Sequence, residues 1–323
     1  MKRMVHFFLV GFVAACRPEP PVPAAITAPA ADSAPEVRFL AVGRQGYGNE
    51  AASRIAAAME RVAAEKPTHG VLYLGDNFYP RGVTSTTDRQ WRTKFESLYD
   101  GTHLRGMPFF AILGNHDHEG TPAAELEYAA KQVGSGRWRM DAPYYVRDFG
   151  RAGDRVLVRI VFLDAIPMLE QAETQLTFAR EAFAATGNPI WRVVASHYAA
   201  RSLTLDAYTR DRTLTRWLPE ITALHPDLWL SANDHFQQIL DRPGDMMHVS
   251  TNGGSNKQDT EIGPGDPTTD FTATGPGFAT VEFAVDRMTV TGYDDQGVVR
   301  HSATRRQPGW AAGPAPVAGR PAR

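Results

Sequence analysis

Short apolar runs recur along the chain, each stopped by a glycine or a polar residue. Val37 to Val42 ends at Gly43, Val71 to Leu74 at Gly75, Phe109 to Leu113 at Gly114, Val156 to Leu163 at Asp164, and Trp191 to Ala195 at Ser196. Runs of this length and stop pattern predict strands. Helical spacing fills most of the intervals. After Asn49, a capping residue, Ile55, Met59, Val62 and Ala63 share one helical face. Asp88 to Tyr99, Ala123 to Val133, Glu170 to Ala185 and Tyr208 to Leu224 are the other predicted helices, the last kept from running on by Pro226. Met246 to Ser250, Phe278 to Val285, Met288 to Tyr293 and Val298 to Thr304 lack helical partners. They predict an antiparallel sheet beside the earlier mixed one, and the whole reads as an α/β (α+β) fold.

The ends of the chain break this pattern. Met1-Lys2-Arg3 is a short basic start, Met4 to Ala15 is mostly apolar, and small residues precede Cys16, the one cysteine of the 323 residues. About twelve apolar residues are too few to span ~30 Å of hydrocarbon, so residues 1–15 predict a cleaved signal peptide. The Val13-Ala14-Ala15-Cys16 pattern resembles a bacterial lipobox, which makes Cys16 the lipidation site and the mature chain an exported, membrane-anchored lipoprotein. Residues 16–36, rich in Pro and Ala, read as an extended tether, 37–305 as one folded domain and 306–323 as a flexible tail. With 34 Lys+Arg against 36 Asp+Glu and the basic residues scattered, nucleic acid is excluded as a partner.

Polar clusters sit just past the apolar runs, where ligands bind in open α/β sheets. They read Gly75-Asp76-Asn77-Phe78-Tyr79, Gly114-Asn115-His116-Asp117-His118, Ser196-His197-Tyr198 and Asn233-Asp234-His235. Carboxylate, amide, imidazole and phenol without thiolate suit iron, zinc or manganese. Singly, Asp76 is as readily a turn residue, Asn115 and Asp117 a hydrogen-bonded loop, and His197 a satisfied core histidine. Recurrence at four strand ends favours a shared site. Asp164 reads as a strand-end hydrogen-bonding residue, and Asp117 and Asp234 as supports that orient imidazoles.

The second and third of these apolar-run endings, with the closing Gly277 to Glu282 and Met288 to Thr291, resemble the calcineurin-like metallophosphoesterases, and within them the purple, tartrate-resistant acid phosphatases. The resemblance covers nearly all of residues 37 to 305. It implies a four-layer αββα sandwich of two mixed β-sheets flanked by helices, with a two-metal site at the sheets' shared edge and a phosphorylated small molecule as substrate. On that resemblance Asp76 bridges the metals, Tyr79 and His235 bind the first, and Asn115 and His197 the second. His116 is then the proton donor and His118 lines the substrate side.

Two positions depart from the family pattern. Gly43-Arg44-Gln45-Gly46 stands where the family has Gly-Asp-x-Gly, and Asn233 where it has a histidine, leaving at best a weak amide ligand. A guanidinium cannot ligate a cation, so one ion or two is open. Three outcomes follow: a phosphoester hydrolase with a degenerate centre, a pseudophosphatase that binds a phosphorylated ligand or protein, or an Arg44–Asp76 ion pair in a structural pocket.

Overall fold

The computed structural model describes residues 36–255 and 260–307. Cys16, the signal segment, nearly all of the tether and most of the tail lie outside the described residues. No described helix is long and apolar enough to cross a membrane.

The strands are β1 (Val37–Val42), β2 (Gly70–Tyr73), β3 (Phe109–Ala111), β4 (Trp138–Arg139), β5 (Tyr145–Ala152), β6 (Arg155–Leu163), β7 (Trp191–Ser196), β8 (Leu228–Ser231), β9 (Gln237–Leu240), β10 (Met247–Ser250), β11 (Asp270–Ala273), β12 (Gly277–Phe283), β13 (Arg287–Asp294) and β14 (Val299–Arg306). They form two seven-stranded mixed sheets, ordered β14-β13-β12-β1-β2-β3-β4 and β11-β9-β10-β8-β7-β6-β5. Phe39 and Phe110 of the first sheet meet Phe149 of the second edge to face, with ring centroids 4.8 and 5.1 Å apart. Such contacts weld the two inner faces into one core.

Helices cover the outer faces. In α1 (Glu50–Glu65) the Asn49 side chain accepts from Ala52 N at 2.9 Å, and Ile55, Met59, Val62 and Ala63 are buried as their spacing predicts. The short α2 (Asn115–His118) and α3 (Pro122–Ala130) follow β3, and α4 (Ala165–Met168) and α5 (Glu173–Ala184) follow β6. Leu176, Ala179 and Phe183 of α5 are buried in one cluster with Val161, Val194 and Trp229 of the second sheet. The result is the four-layer αββα arrangement expected. β1, β2, β3 and β10 are buried along their whole length because each is covered on both faces, which is why β2 and β3 read as apolar runs and why Arg38 of β1 and His248 and Ser250 of β10 are buried as well.

Three expectations are corrected. Tyr208 to Leu224 is not one helix but α6 (Ala207–Arg210), a 3₁₀ turn (Thr215–Trp217) and α7 (Leu218–Thr222). Leu214 N bonds Ala199 O at 2.8 Å, tying the segment down, and Pro219 restarts a helix in its first turn, where no N–H is needed. Asp88 to Tyr99 contributes only a short π-helix (Trp91–Glu96), whose Trp91 and Phe95 are buried in the aromatic core. The late strands build no separate sheet: β12 pairs antiparallel with β1 and extends the first, while β10 runs parallel to β8 in the second.

Candidate active site

The C-terminal ends of β1, β2, β3, β6, β7 and β8 lead directly to Arg44, Asp76, Asn115, Asp164, His197 and Asn233, so two sheets deliver their polar loops to one edge. The turn after β2 is tight. Gly75 has φ 82°, and a Cβ there would lie 2.6 Å from His197 Nδ1, so only glycine lets the imidazole this close. Arg44, Asp76, Asn233 and His235 all take φ between 55° and 66° although none is glycine. Local strain of this kind collects at functional sites.

Arg44 does not swing to solvent. It is 2% exposed, and its Nε donates to Tyr79 Oη at 3.1 Å, Nη1 to Asn252 Oδ1 at 3.1 Å and Nη2 to Tyr47 Oη at 3.2 Å. Tyr79 Oη passes the chain on by donating to Asp76 Oδ2, which lies 3.8 Å from Arg44 Nε. Tyr47 stacks on Tyr79 with centroids 3.8 Å apart and closes this side. The other carboxylate oxygen, Asp76 Oδ1, accepts from His116 N at 3.1 Å and lies 3.3 Å from His197 Nε2. Burial alone pushes the Asp76 carboxyl up, but His197, then Arg44 and His116, hold it below the usual carboxylate range.

The donor set decides what metal fits. The guanidinium and its partners fill the place that the family's first ion would share with Asp76 and Tyr79, so these residues do not fit that ion. The second set is different. His197 Nδ1 sits 2.7 Å from Leu74 O, the bond that fixes its proton there and turns Nε2 toward Asp76, while Asn115 Oδ1 is buried with no hydrogen-bond partner. Asp76, Asn115 and His197 fit one ion. No group of three or more His, Cys, Asp or Glu among the described residues is placed to hold one; the amide completes this set. Asn233 and His235 lie on the loop after β8, with Asn233 buried.

The histidines after β3 separate. His116 Nδ1 is 2.7 Å from Pro80 O, whereas His118 Nε2 meets both oxygens of Asp164, at 2.9 and 3.0 Å. Asp164 is therefore a site residue and not merely a strand end. Asp117 does not orient an imidazole: its carboxylate accepts from Gly114 N at 2.7 Å, from Asn77 N at 3.0 Å and from Phe78 N at 3.1 Å, pinning the two motif loops together. Asn77 Nδ2 in turn donates to Glu125 Oε2 at 2.8 Å, and Glu125 is fully buried in α3. Sequence reasoning missed Glu125 and Tyr47.

Burial lifts Asp117, with the Asp76 charge adding to it, and lifts Asp234, each to about 7. His197 and His118 are raised by carboxylates that outweigh burial, chiefly Asp76 and Asp164 respectively. For all four groups the folded state binds protons more tightly than the unfolded one. Their stabilisation is complete at low pH and lost as pH rises through the folded values. The metal-free chain should therefore melt at higher temperature at pH 5 than at pH 8, checked by calorimetry in chelator; a flat or rising profile would contradict these burials.

Comparison with known proteins decides the family. The calcineurin-like phosphoesterase model matches residues 48–237. The chain belongs to that family. Membership implies a two-metal cofactor. Pig (Sus scrofa) tartrate-resistant acid phosphatase type 5 is 29% identical over 287 residues, covering 80% of this chain and 83% of that protein. Purple acid phosphatase 4 of Arabidopsis thaliana is 25% identical over 290 residues, covering 82% of each. Among solved structures, GAP50, the anchor in the inner membrane complex of Plasmodium, shares the fold with a TM-score of 0.72 at 18% identity, over 84% of this chain and 89% of that one. In this family member Arg44 is buried beside Tyr79 and Asp76.

Proposed function

We propose that the chain is a phosphomonoester hydrolase of the acid-phosphatase type whose metal centre is reduced to one ion, with Arg44 supplying fixed positive charge in place of the other. The observation that carries this reading is the Arg44–Tyr79–Asp76 hydrogen-bonded chain, with the unpartnered Asn115 Oδ1 and the His197 Nε2 that faces Asp76. Asp76, Asn115 and His197 would hold iron, zinc or manganese, and a bound ion supplies Lewis acidity toward phosphoryl oxygens. His197, and then Arg44, keep Asp76 ionised. The Pro80 carbonyl fixes His116 so that its Nε2 is left for substrate. The lipobox-like Cys16 supports a membrane anchor on the outer side of the cytoplasmic membrane or at the cell surface, with a phosphorylated small molecule as ligand.

A second reading has its own support. Arg44 is locked by Tyr79, Asn252, Tyr47 and Asp76 at once, an arrangement suited to a pseudophosphatase that binds a phosphorylated ligand without turnover. Elemental analysis of protein purified without chelator, with p-nitrophenyl phosphate hydrolysis on the same sample from pH 4 to 8, separates the two. The hydrolase predicts close to one ion per chain and turnover abolished by chelation and restored by iron, zinc or manganese. Metal-free, inactive protein that stays inactive with added ions leaves the binder.

A further inference from the structure

Asp164, at the end of β6 in the second sheet, is 3% exposed, and its carboxylate meets the ring of His118, which ends α2 beyond the first sheet and keeps 27% of its side chain exposed. The carboxylate is itself held. Gln175 of α5 accepts from Asp164 N at 2.9 Å and donates to Asp164 O at 2.8 Å, and Ile166 N donates to Asp164 Oδ1 at 3.3 Å. A carboxylate fixed in this way and directed at one ring nitrogen sets the orientation of the imidazole and favours its charged form, in which the opposite nitrogen also carries a proton. That nitrogen, His118 Nδ1, makes no hydrogen bond among the described residues. His116 is built differently, with its Nδ1 on a backbone carbonyl and no carboxylate hydrogen-bonded to its ring among the described residues.

We infer that the Asp164–His118 pair, rather than His116, protonates the leaving oxygen of the phosphomonoester, His118 as the catalytic residue and Asp164 as the residue that positions it. This rests on the hydrolase reading above. As the P–O bond breaks, its electron pair stays on the ester oxygen, which takes the His118 Nδ1 proton and departs as the alcohol. Water adds its oxygen to phosphorus, and the proton it sheds restores the imidazolium through solvent. The charged groups around His118 act in the required sense on balance: burial lowers its pKa and His197 opposes the proton, while Asp164 and then Asp117 favour it and prevail.

The test compares two aryl esters on the full chain. Phenolate needs protonation far more than p-nitrophenolate, so His118→Asn and Asp164→Asn should lower the ratio of phenyl phosphate to p-nitrophenyl phosphate kcat by roughly 10²-fold, the usual size of general-acid assistance. His116→Asn should leave that ratio where it is in the wild type, and Asp164→Glu should recover part of it. In parallel, nitrogen-detected NMR should show His118 titrating above the ordinary histidine value and falling by about one unit or more in Asp164→Asn. His118→Asn removes only a partly exposed ring, which keeps the comparison usable if Asp164→Asn does not fold. A ratio that collapses with His116→Asn instead, or a His118 titration unmoved by Asp164→Asn, overturns the inference alone. Absence of wild-type turnover on both esters overturns the hydrolase reading and the donor role with it.

Discussion

Replacing Arg44 by methionine is expected to lower the melting temperature by roughly 6–20 °C. The guanidinium is buried against Asp76, and removing one member of a buried pair costs about 3–5 kcal/mol because the other charge stays uncompensated. In a domain of this size each kcal/mol shifts the midpoint by about 2–4 °C. Arg44→Asp should be worse still in chelator, since it sets a second carboxylate beside the first. It should also be rescued by metal, because that carboxylate restores the ligand the family uses there. The backbone permits the change, as the φ of 58° at position 44 is one that aspartate adopts more readily than most residues. Thermal unfolding with and without chelator, iron, zinc or manganese checks both parts, and combining Arg44→Asp with Asn233→His should raise metal content toward two ions. A methionine variant melting within two degrees of wild type, by the scale just used, would mean the guanidinium compensates nothing.

The strands that carry the site were legible because covered strands are continuous apolar runs, and Gly75 and Gly114 end them in view. The site residues were legible for the same reason: each of Asp76, Asn115, His197 and Asn233 stands within four positions of a strand end. Less visible was anything decided between the sheets. Asp164 and His118 are 46 residues apart in the chain and meet only because β3 and β6 end at the same edge. Glu125 looks like an ordinary helix carboxylate until its burial against Asn77 is known. Arg44 illustrates the limit most sharply. Its identity excluded a metal ligand from the outset, yet whether it pointed to solvent or into the pocket depended on Tyr47 and Asn252, the latter 208 residues away. The late strands failed for a related reason, since their alternation predicts antiparallel pairing but not which sheet they join, and that is set by the β1–β12 register.

Asp117→Ala should be strongly destabilising, because it orphans three buried backbone donors at once, on Gly114, Asn77 and Phe78. Each unsatisfied group is worth about 1–3 kcal/mol, so a loss of roughly 3–5 kcal/mol is expected after relaxation. The conservative Asp117→Asn separates geometry from charge. An amide oxygen can still accept part of that set, and it cannot ionise beside Asp76. Because the Asp117 carboxyl is raised to about 7, the wild type holds it protonated at pH 5 and loses its contribution as pH rises through that value. Asp117→Asn should therefore flatten the decline in stability between pH 5 and 8, while Asp117→Ala lowers the whole curve. Urea unfolding at both pH values reads this directly, and a steep decline retained in Asp117→Asn would assign the pH dependence to other groups. The same bonds fix where Asp76 and Asn115 stand, since Asn77 follows the one and Gly114 precedes the other. Loss of stability and loss of metal content should thus appear together in Asp117→Ala, as two readings of a single hinge between the loops.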